Sequence, residues 1–211
     1  MGPPAGVAVR TSRGARYLQY SFAAPPGNNV INGFLQSLIG LQDYAQVSGN
    51  SLAERLFAAG DAEARFEVPH FDTGAWSLYQ PGEEDSLDYH ELVTEFLHQL
   101  CTATSTPVYC STASRFDEDL KTPAVLQLLT TRLKAKQPAR ISFRVSKISR
   151  VGITVSLHDK TVFLTSASFG YGVHSFAIPA LARAGSYSVA LDATDLAGNY
   201  GQMAGTLKVS R

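Results

Sequence analysis

The sequence predicts an α+β chain of two domains, a helical part over 17–136 followed by an antiparallel β-sandwich over 139–211. Two observations carry this. From about 29 to 136 apolar residues recur at three- and four-residue intervals, interrupted by Gly, Pro and Asn clusters, as antiparallel helix pairs joined by loops require. At Pro138 the period falls to two. ISFRVS, GITVSLH, TVFLTSASF, HSFAIP, SYSVALDATD and GTLKVS alternate apolar and polar residues, with turn residues at Asp159-Lys160, 170–172 and 195–199 between them.

Taken in order, residues 1–16 are rich in Gly, Pro and Arg without any period and are expected to be disordered. YLQYSF (17–22) is a short apolar-aromatic stretch, ended by Pro25-Pro26-Gly27. Asn28 or Asn29 can cap a first helix that runs to about Val47 and buries Ile31, Phe34, Leu35, Leu38, Ile39 and Ala45. Gly33 and Gly40 lie nearly on one face of it. Each costs about 1 kcal/mol relative to alanine, which points to close packing there. Gly49-Asn50 stops this helix. Ser51 with Glu54 reads as a capping box for a second, about 51–67, with Leu52, Leu56, Phe57 and Phe66 facing inward.

Gly74 and Pro81-Gly82 make 72–85 a loop, and Asp85 or Ser86 then caps a third helix, about 86–103, carrying Leu87, Leu92, Phe96 and Leu100. Glu83, Glu84, Asp85 and Asp88 crowd its start. They read as a solvated turn that compensates the helix dipole, since a metal site needs more convergent ligands. After the loop LCTATSTPVYCS, Ser114 with Asp117 suggests a fourth helix to about Lys136 through Phe116, Leu120, Val125, Leu128, Leu129 and Leu133. Pro123 should kink or split it. Gln137-Pro138 would be the link between the domains.

Composition narrows the function. The 211 residues carry formal net charge zero and are 45% hydrophobic, which suits buried cores and argues against broad attraction to nucleic acid or anionic membranes. No apolar run reaches a membrane span, and MGPPAGVAVRTSRGARYL lacks the apolar core of a signal peptide. Cys101 and Cys110 are free thiols in a reducing compartment and a disulfide candidate in an exported protein; their spacing does not suit a zinc site. Gly170-Tyr171-Gly172 links strands and is no dinucleotide fingerprint. His90-Glu91 lacks the second histidine of a zinc protease, because Thr94 stands there. No nucleophile elbow supports Ser-His-Asp hydrolysis. His70, His98, His158 and His174 are scattered.

Tyr79 and Tyr89 bracket the 72–85 loop, one before it and one in the first turn of the third helix. INGFLQSLIGLQDYAQVSGN (31–50), FDTGAWSLY (71–79) and DYHELV (88–93), in that order, closely resemble the C-terminal part of D-glucuronyl C5-epimerases. The resemblance covers about 17–135 and implies part of an α/α barrel. It also implies that Tyr79 and Tyr89 belong to an active site. The family has a Glu-Tyr pair just before its first NGF-type helix. Here the positions read Gln19-Tyr20, so the tyrosine is matched and the acid is not. The arginine expected shortly after the first active-site tyrosine is also unmatched, since Gln80, Pro81 and Gly82 follow Tyr79. In the sandwich, GSYSVALDATD with Tyr187 resembles the tyrosine corner of immunoglobulin-like domains, and DLAGN resembles turns of bacterial Ig-like modules.

The resemblance implies an isomerase acting on a uronic-acid polysaccharide, a glycosaminoglycan of heparosan or heparan sulfate type. Tyr79, Tyr89 and Tyr20 would be acid/base groups, with Gln19, Asn32, Trp76 and His90 contacting substrate. Neither the residues nor the resemblance require a cofactor or metal. A homodimer is expected by analogy. The family carries a longer N-terminal portion, so the chain is expected to be the C-terminal end of a larger exported or cell-surface enzyme. A second reading is a non-catalytic polysaccharide-binding or cell-surface module in which Tyr79, Tyr89 and Trp76 stack on sugars. A third is a lyase, which shares C5 proton abstraction but expels a group at C4.

Overall fold

The computed structural model describes residues 2–21 and 29–211, so Asn28 and the Pro25-Pro26-Gly27 break lie outside the described residues. The chain divides into two compact units, Met1–Glu118 and Asp119–Arg211.

The first unit begins with a hairpin rather than a disordered tail. Strands β1 (Ala8–Arg10) and β2 (Ala15–Tyr17) pair antiparallel around a turn in which Thr11 N–H donates to the Gly14 carbonyl. Its order comes from tertiary contact, which local period does not reveal. A Cβ on Gly14 would sit 2.0 Å from the Ala59 carbonyl oxygen, so glycine is what lets the hairpin lie against the second helix. Ala15 and Tyr17 enter the core, and the Tyr17 hydroxyl donates to the Leu56 carbonyl at 2.6 Å. Arg16 is buried beside them, paired with Glu67 and donating to the Val30 carbonyl at 3.0 Å.

Helix α1 (Ile31–Ser48) starts after Val30 without a side-chain cap, so Asn29 is not the cap the sequence suggested, and Gly49 at φ 62° ends it. Ile31, Phe34, Leu35, Leu38 and Ala45 are buried as the period required. The two glycines part company. A Cβ on Gly33 would meet Gln19 Cβ at 3.2 Å, whereas Gly40 faces open space.

Helix α2 (Ser51–Glu67) is capped by the Asn50 side chain, which accepts from Leu52 and Ala53 N–H, and not by a Ser51–Glu54 box. Its buried face is Ala53, Gly60, Asp61, Glu63 and Ala64, while Leu52, Leu56 and Phe66 are exposed. Small residues allow close approach there, and the acids are satisfied. Asp61 accepts the Tyr109 hydroxyl at 2.8 Å and pairs with Arg65; Glu63 accepts from Thr11 at 2.6 Å. A 3₁₀ turn (Val68–Phe71) leads to strands β3 (Leu78–Gln80) and β4 (Glu83–Glu84), a small antiparallel hairpin.

Helix α3 (Leu87–Thr104) has Ser86 as its N-cap, and α4 (Pro107–Asp119) follows after two residues. The stretch expected to be a loop through Cys110 is therefore helical, and Cys101 on α3 is disulfide-bonded to Cys110 on α4 with Cα atoms 4.8 Å apart. Ser114 sits inside α4, donating to the Cys110 carbonyl, and caps nothing. One core joins the hairpin, α1–α4 and the 3₁₀ turn through Tyr17, Phe34, Leu38, Ala64, Phe71, Leu97, Tyr109 and Phe116.

The second unit starts earlier than 139. Residues expected to continue the fourth helix form β5 (Leu126–Leu128) and β6 (Arg132–Lys134), because the spacing of Leu120, Val125, Leu128 and Leu133 fits either period once Pro123 breaks the helix. Then come β7 (Ala139–Val145), β8 (Ser149–Leu157), β9 (Lys160–Phe169), β10 (Gly172–Ile178), β11 (Gly185–Asp195) and β12 (Tyr200–Ser210).

One sheet has the order β10-β7-β5 and the other β6-β12-β11-β8-β9, all antiparallel except β6 beside β12. This is an Ig-like sandwich whose first strand is split between the two sheets. Ile141, Phe143 and Phe176 of one sheet meet Val151, Ile153, Val189 and Leu191 of the other in its core. The Tyr187 hydroxyl donates to the Arg183 carbonyl at 2.8 Å, the tyrosine-corner bond the sequence suggested. A buried pair, Lys147 Nζ to Asp195 Oδ2 at 2.7 Å, holds the lead-in segment as well. Lys147 donates to the Asp119 and Thr122 carbonyls at 2.6 Å each, and Asn199 to the Leu120 carbonyl.

Candidate functional site

The loop between the 3₁₀ turn and α3 is built from tight local bonds. Asp72 Oδ1 accepts the Gly74 N–H at 2.7 Å, and the Thr73 hydroxyl accepts the Trp76 N–H at 3.0 Å. Gly74 and Gly82, both at φ 85°, supply the left-handed turns on either side of β3. Asp72 also receives Arg115 of α4 at 2.9 Å, which fastens the loop to the helices. The chain then enters the interior. Trp76 and Ser77 have no exposed surface, and Leu78 is buried.

Tyr79, half-buried on β3, and Tyr89, 41% exposed in the first turn of α3, come together with ring centroids 5.1 Å apart and planes inclined at 49°. Tyr20, 45% exposed, is close enough to act electrostatically on Tyr79. The three tyrosines singled out from the sequence are thus gathered in one region. Burial holds the Tyr79 phenol above its ordinary value, and Tyr89, Tyr20, Glu83 and Asp85 oppose its ionisation further. The group is kept protonated and suited to donate. Where the resemblance expects an arginine, Gln80 donates from Nε2 to Glu83 Oε2 at 2.7 Å.

The other expected site residues divide. Gln19 is exposed beside Tyr20, with its stem against Gly33. Asn32 is buried in the first turn of α1, its side chain accepting the Gly33 N–H. Trp76 and His90 were expected to touch sugar, yet neither reaches the surface. The Trp76 indole stacks on the His90 ring at 3.8 Å and 8°, and its Nε1–H donates to the Asp85 carbonyl at 2.9 Å.

The acidic turn is also not uniformly solvated. Asp85 has no exposed surface and accepts the Ser77 hydroxyl at 2.5 Å; burial raises its carboxyl from the usual range to about 6, with Glu83 adding to the rise and Ser77 opposing it. Sequence reasoning missed Ser77 entirely, offered Asp85 only as an alternative to Ser86 for the cap, and placed it in a solvated turn. The one available signal was that Ser86 is the better-placed cap, which leaves a carboxylate beside it without a helical role.

Among the described residues no helix is long and apolar enough to cross a membrane. Solved structures similar to part of the chain include CopC from Methylosinus trichosporium OB3b, 16% identical, covering 41% of this chain and 94% of that one at a TM-score of 0.34. Fibronectin(III)-like modules of Clostridium thermocellum CbhA are 17% identical, covering 41% and 100% at 0.29. A superoxide reductase (neelaredoxin) from Ignicoccus hospitalis is 11% identical, covering 42% and 81% at 0.32. The model of the D-glucuronyl C5-epimerase C-terminus matches residues 5–118, over half the chain and all of the tyrosine region, and the protein belongs to that family.

Proposed function

We propose that the helical unit carries part of the proton-transfer site of a uronyl C5-epimerase acting on a uronic-acid polysaccharide. Tyr79 and Tyr89 would be the acid/base groups, and Tyr20 would assist. The supporting observation is the contact of Tyr79 with Tyr89 inside the segment that carries the family match. Inversion at C5 removes a proton alpha to the carboxylate and returns one from the opposite ring face, so the enediolate-like intermediate needs donors near it. A phenol held protonated, as Tyr79 is, suits the returning step.

Rings in contact leave no space for a pyranose between them. A sugar served by both tyrosines is therefore reached by their hydroxyl edges, and the opposite face is served by another group. In this reading the four helices are one arc of an α/α barrel. Tyr79→Phe and Tyr89→Phe should each lower deuterium exchange at C5 by about 10²-fold or more while polymer binding persists. Loss of binding with an unchanged exchange rate per bound substrate would make the tyrosines contact residues.

The exposure of Tyr20 and Tyr89 favours one competing reading, a polysaccharide-binding module that uses them as stacking platforms. Sugar binding without C5 exchange would select it. Absorbance from an unsaturated product would select a lyase.

A further inference from the structure

Three polar groups that donate or accept no proton in the proposed transfer stand next to the tyrosine pair in the sequence. Ser77 precedes Tyr79 by two residues, His90 follows Tyr89, and Asp85 precedes the cap Ser86, whose hydroxyl accepts the Tyr89 N–H at 3.4 Å. Their side chains meet. Ser77 Oγ lies 2.5 Å from Asp85 Oδ2 and 2.8 Å from His90 Nδ1. The Ser77 N–H donates to the same Nδ1 at 3.2 Å, and His90 Nε2 lies 3.1 Å from the Phe116 carbonyl of α4.

These partners fix the imidazole. An amide N–H only donates and a carbonyl only accepts, so His90 carries its proton on Nε2. Nδ1 is then occupied by the amide, and the serine hydroxyl proton goes to Asp85. Trp76 closes the cluster, stacked on His90 and bonded to the Asp85 main chain.

Core filling alone does not account for this cluster. Apolar side chains of the same volume would fill the space, whereas here Asp85 Oδ1 is buried with no hydrogen-bond partner. What the polar groups supply is direction, a bonded path from the β3 strand through Ser77 to α3 and on to α4.

We propose that Ser77, Asp85 and His90 are positioning residues whose buried hydrogen bonds seat the β3–β4 hairpin on the first turn of α3 and so set the contact between Tyr79 and Tyr89. The catalytic consequence rests on the proton-transfer reading above; the geometric one does not.

The test uses the full chain with Ser77→Ala and Asp85→Ala, the second because an asparagine would still accept the Ser77 hydroxyl, and an unsulfated glucuronate polymer as substrate. Both folded variants should lose most of the nuclear Overhauser contact between the Tyr79 and Tyr89 rings. Their kcat for C5 exchange should fall tenfold or more with KM within about twofold, since displaced reacting groups cost rate rather than binding. The double variant should be no worse than the more impaired single one, because both changes break one network.

Retained ring contacts with unchanged kcat overturn the proposal. If the wild type shows no exchange, the proton-transfer reading fails and the ring contacts alone decide the network: loss supports it, retention overturns it. A variant that does not fold leaves the decision to the wild type, through the ¹⁵N shifts of the His90 ring. A proton on Nε2 at neutral pH supports the network, and a proton on Nδ1 overturns it.

Discussion

Replacing Asp85 by Asn should make the helical unit more stable at neutral pH and flatten its response to acid. In the folded chain the carboxyl is raised to about 6 against an ordinary value near 3.8, chiefly by burial. An acid raised by folding binds its proton more tightly in the native state. Its protonation therefore adds stability as pH falls through about 6, and the gain is complete below about 3.8. A rise from 3.8 to about 6 corresponds to about 3 kcal/mol, with no discount for solvent because Asp85 has no exposed surface.

For a unit of roughly 120 residues, that free energy corresponds to about 10 °C in Tm. The assay is calorimetry of both proteins from pH 4 to 7. Wild type should lose about 3 kcal/mol relative to Asp85→Asn as pH rises over that range. Groups that titrate in both proteins cancel in the difference. A difference that stays constant with pH would refute the reasoning, because it would mean that Asp85 ionises in the native chain as freely as in the unfolded one.

Asp195→Ala should lower the Tm of the β unit by about 15–25 °C in the same calorimetry. It leaves the Lys147 ammonium buried without its carboxylate, a loss of about 3–5 kcal/mol in a unit of roughly 90 residues. Replacing Cys101 and Cys110 together by alanine should cost the helical unit about 2–3 kcal/mol in denaturant unfolding, the chain-entropy value for a short closed loop. Gly14→Ala places a carbon where the Ala59 carbonyl already is, so amide exchange in β1 and β2 should accelerate while α1 keeps its protection.

Where local pattern and final environment agree, the sequence was informative. The α1 stripe, the Gly49 stop, the Ser86 cap and the alternation from 139 onward all satisfy their own neighbours, and each stands where the period placed it. The failures share one cause, which is that a distant partner decided the outcome. Asp61 and Glu63 face inward on α2 because Tyr109 and Thr11 receive them, so the larger Leu52 and Phe66 turn out. Residues 126–128 and 132–134 are strand because β7 and β12 offer edges to pair with, and the β12 partners lie 76 positions along the chain, as in Arg132 opposite Lys208. Trp76 was expected to contact sugar because it lies in the FDTGAWSLY phrase that carries the family resemblance. Its burial depends on His90 and Asp85, which no spacing rule connects to it.

Gln19 is one place where the site departs from the pattern of the family it belongs to, and it can be tested directly. The resemblance places an acid at this position, while the amide here accepts no proton at neutral pH. Tyr79 cannot replace that base, since burial and the neighbouring Tyr89, Tyr20, Glu83 and Asp85 hold its phenol protonated. Gln19 is exposed beside Tyr20, with its stem on Gly33, so glutamate fits in its place without repacking. If the absent carboxylate limits proton removal, Gln19→Glu should raise C5 exchange at least tenfold. That is below the roughly 10²–10⁴ range of a well-placed general base, as suits a base added without groups to orient it. The gain should follow the carboxylate, appearing above about pH 4–5 and absent in Gln19→Asn. Equal rates in Gln19→Glu and wild type would move the base elsewhere and leave the tyrosines as donors to a carbanion made by another group.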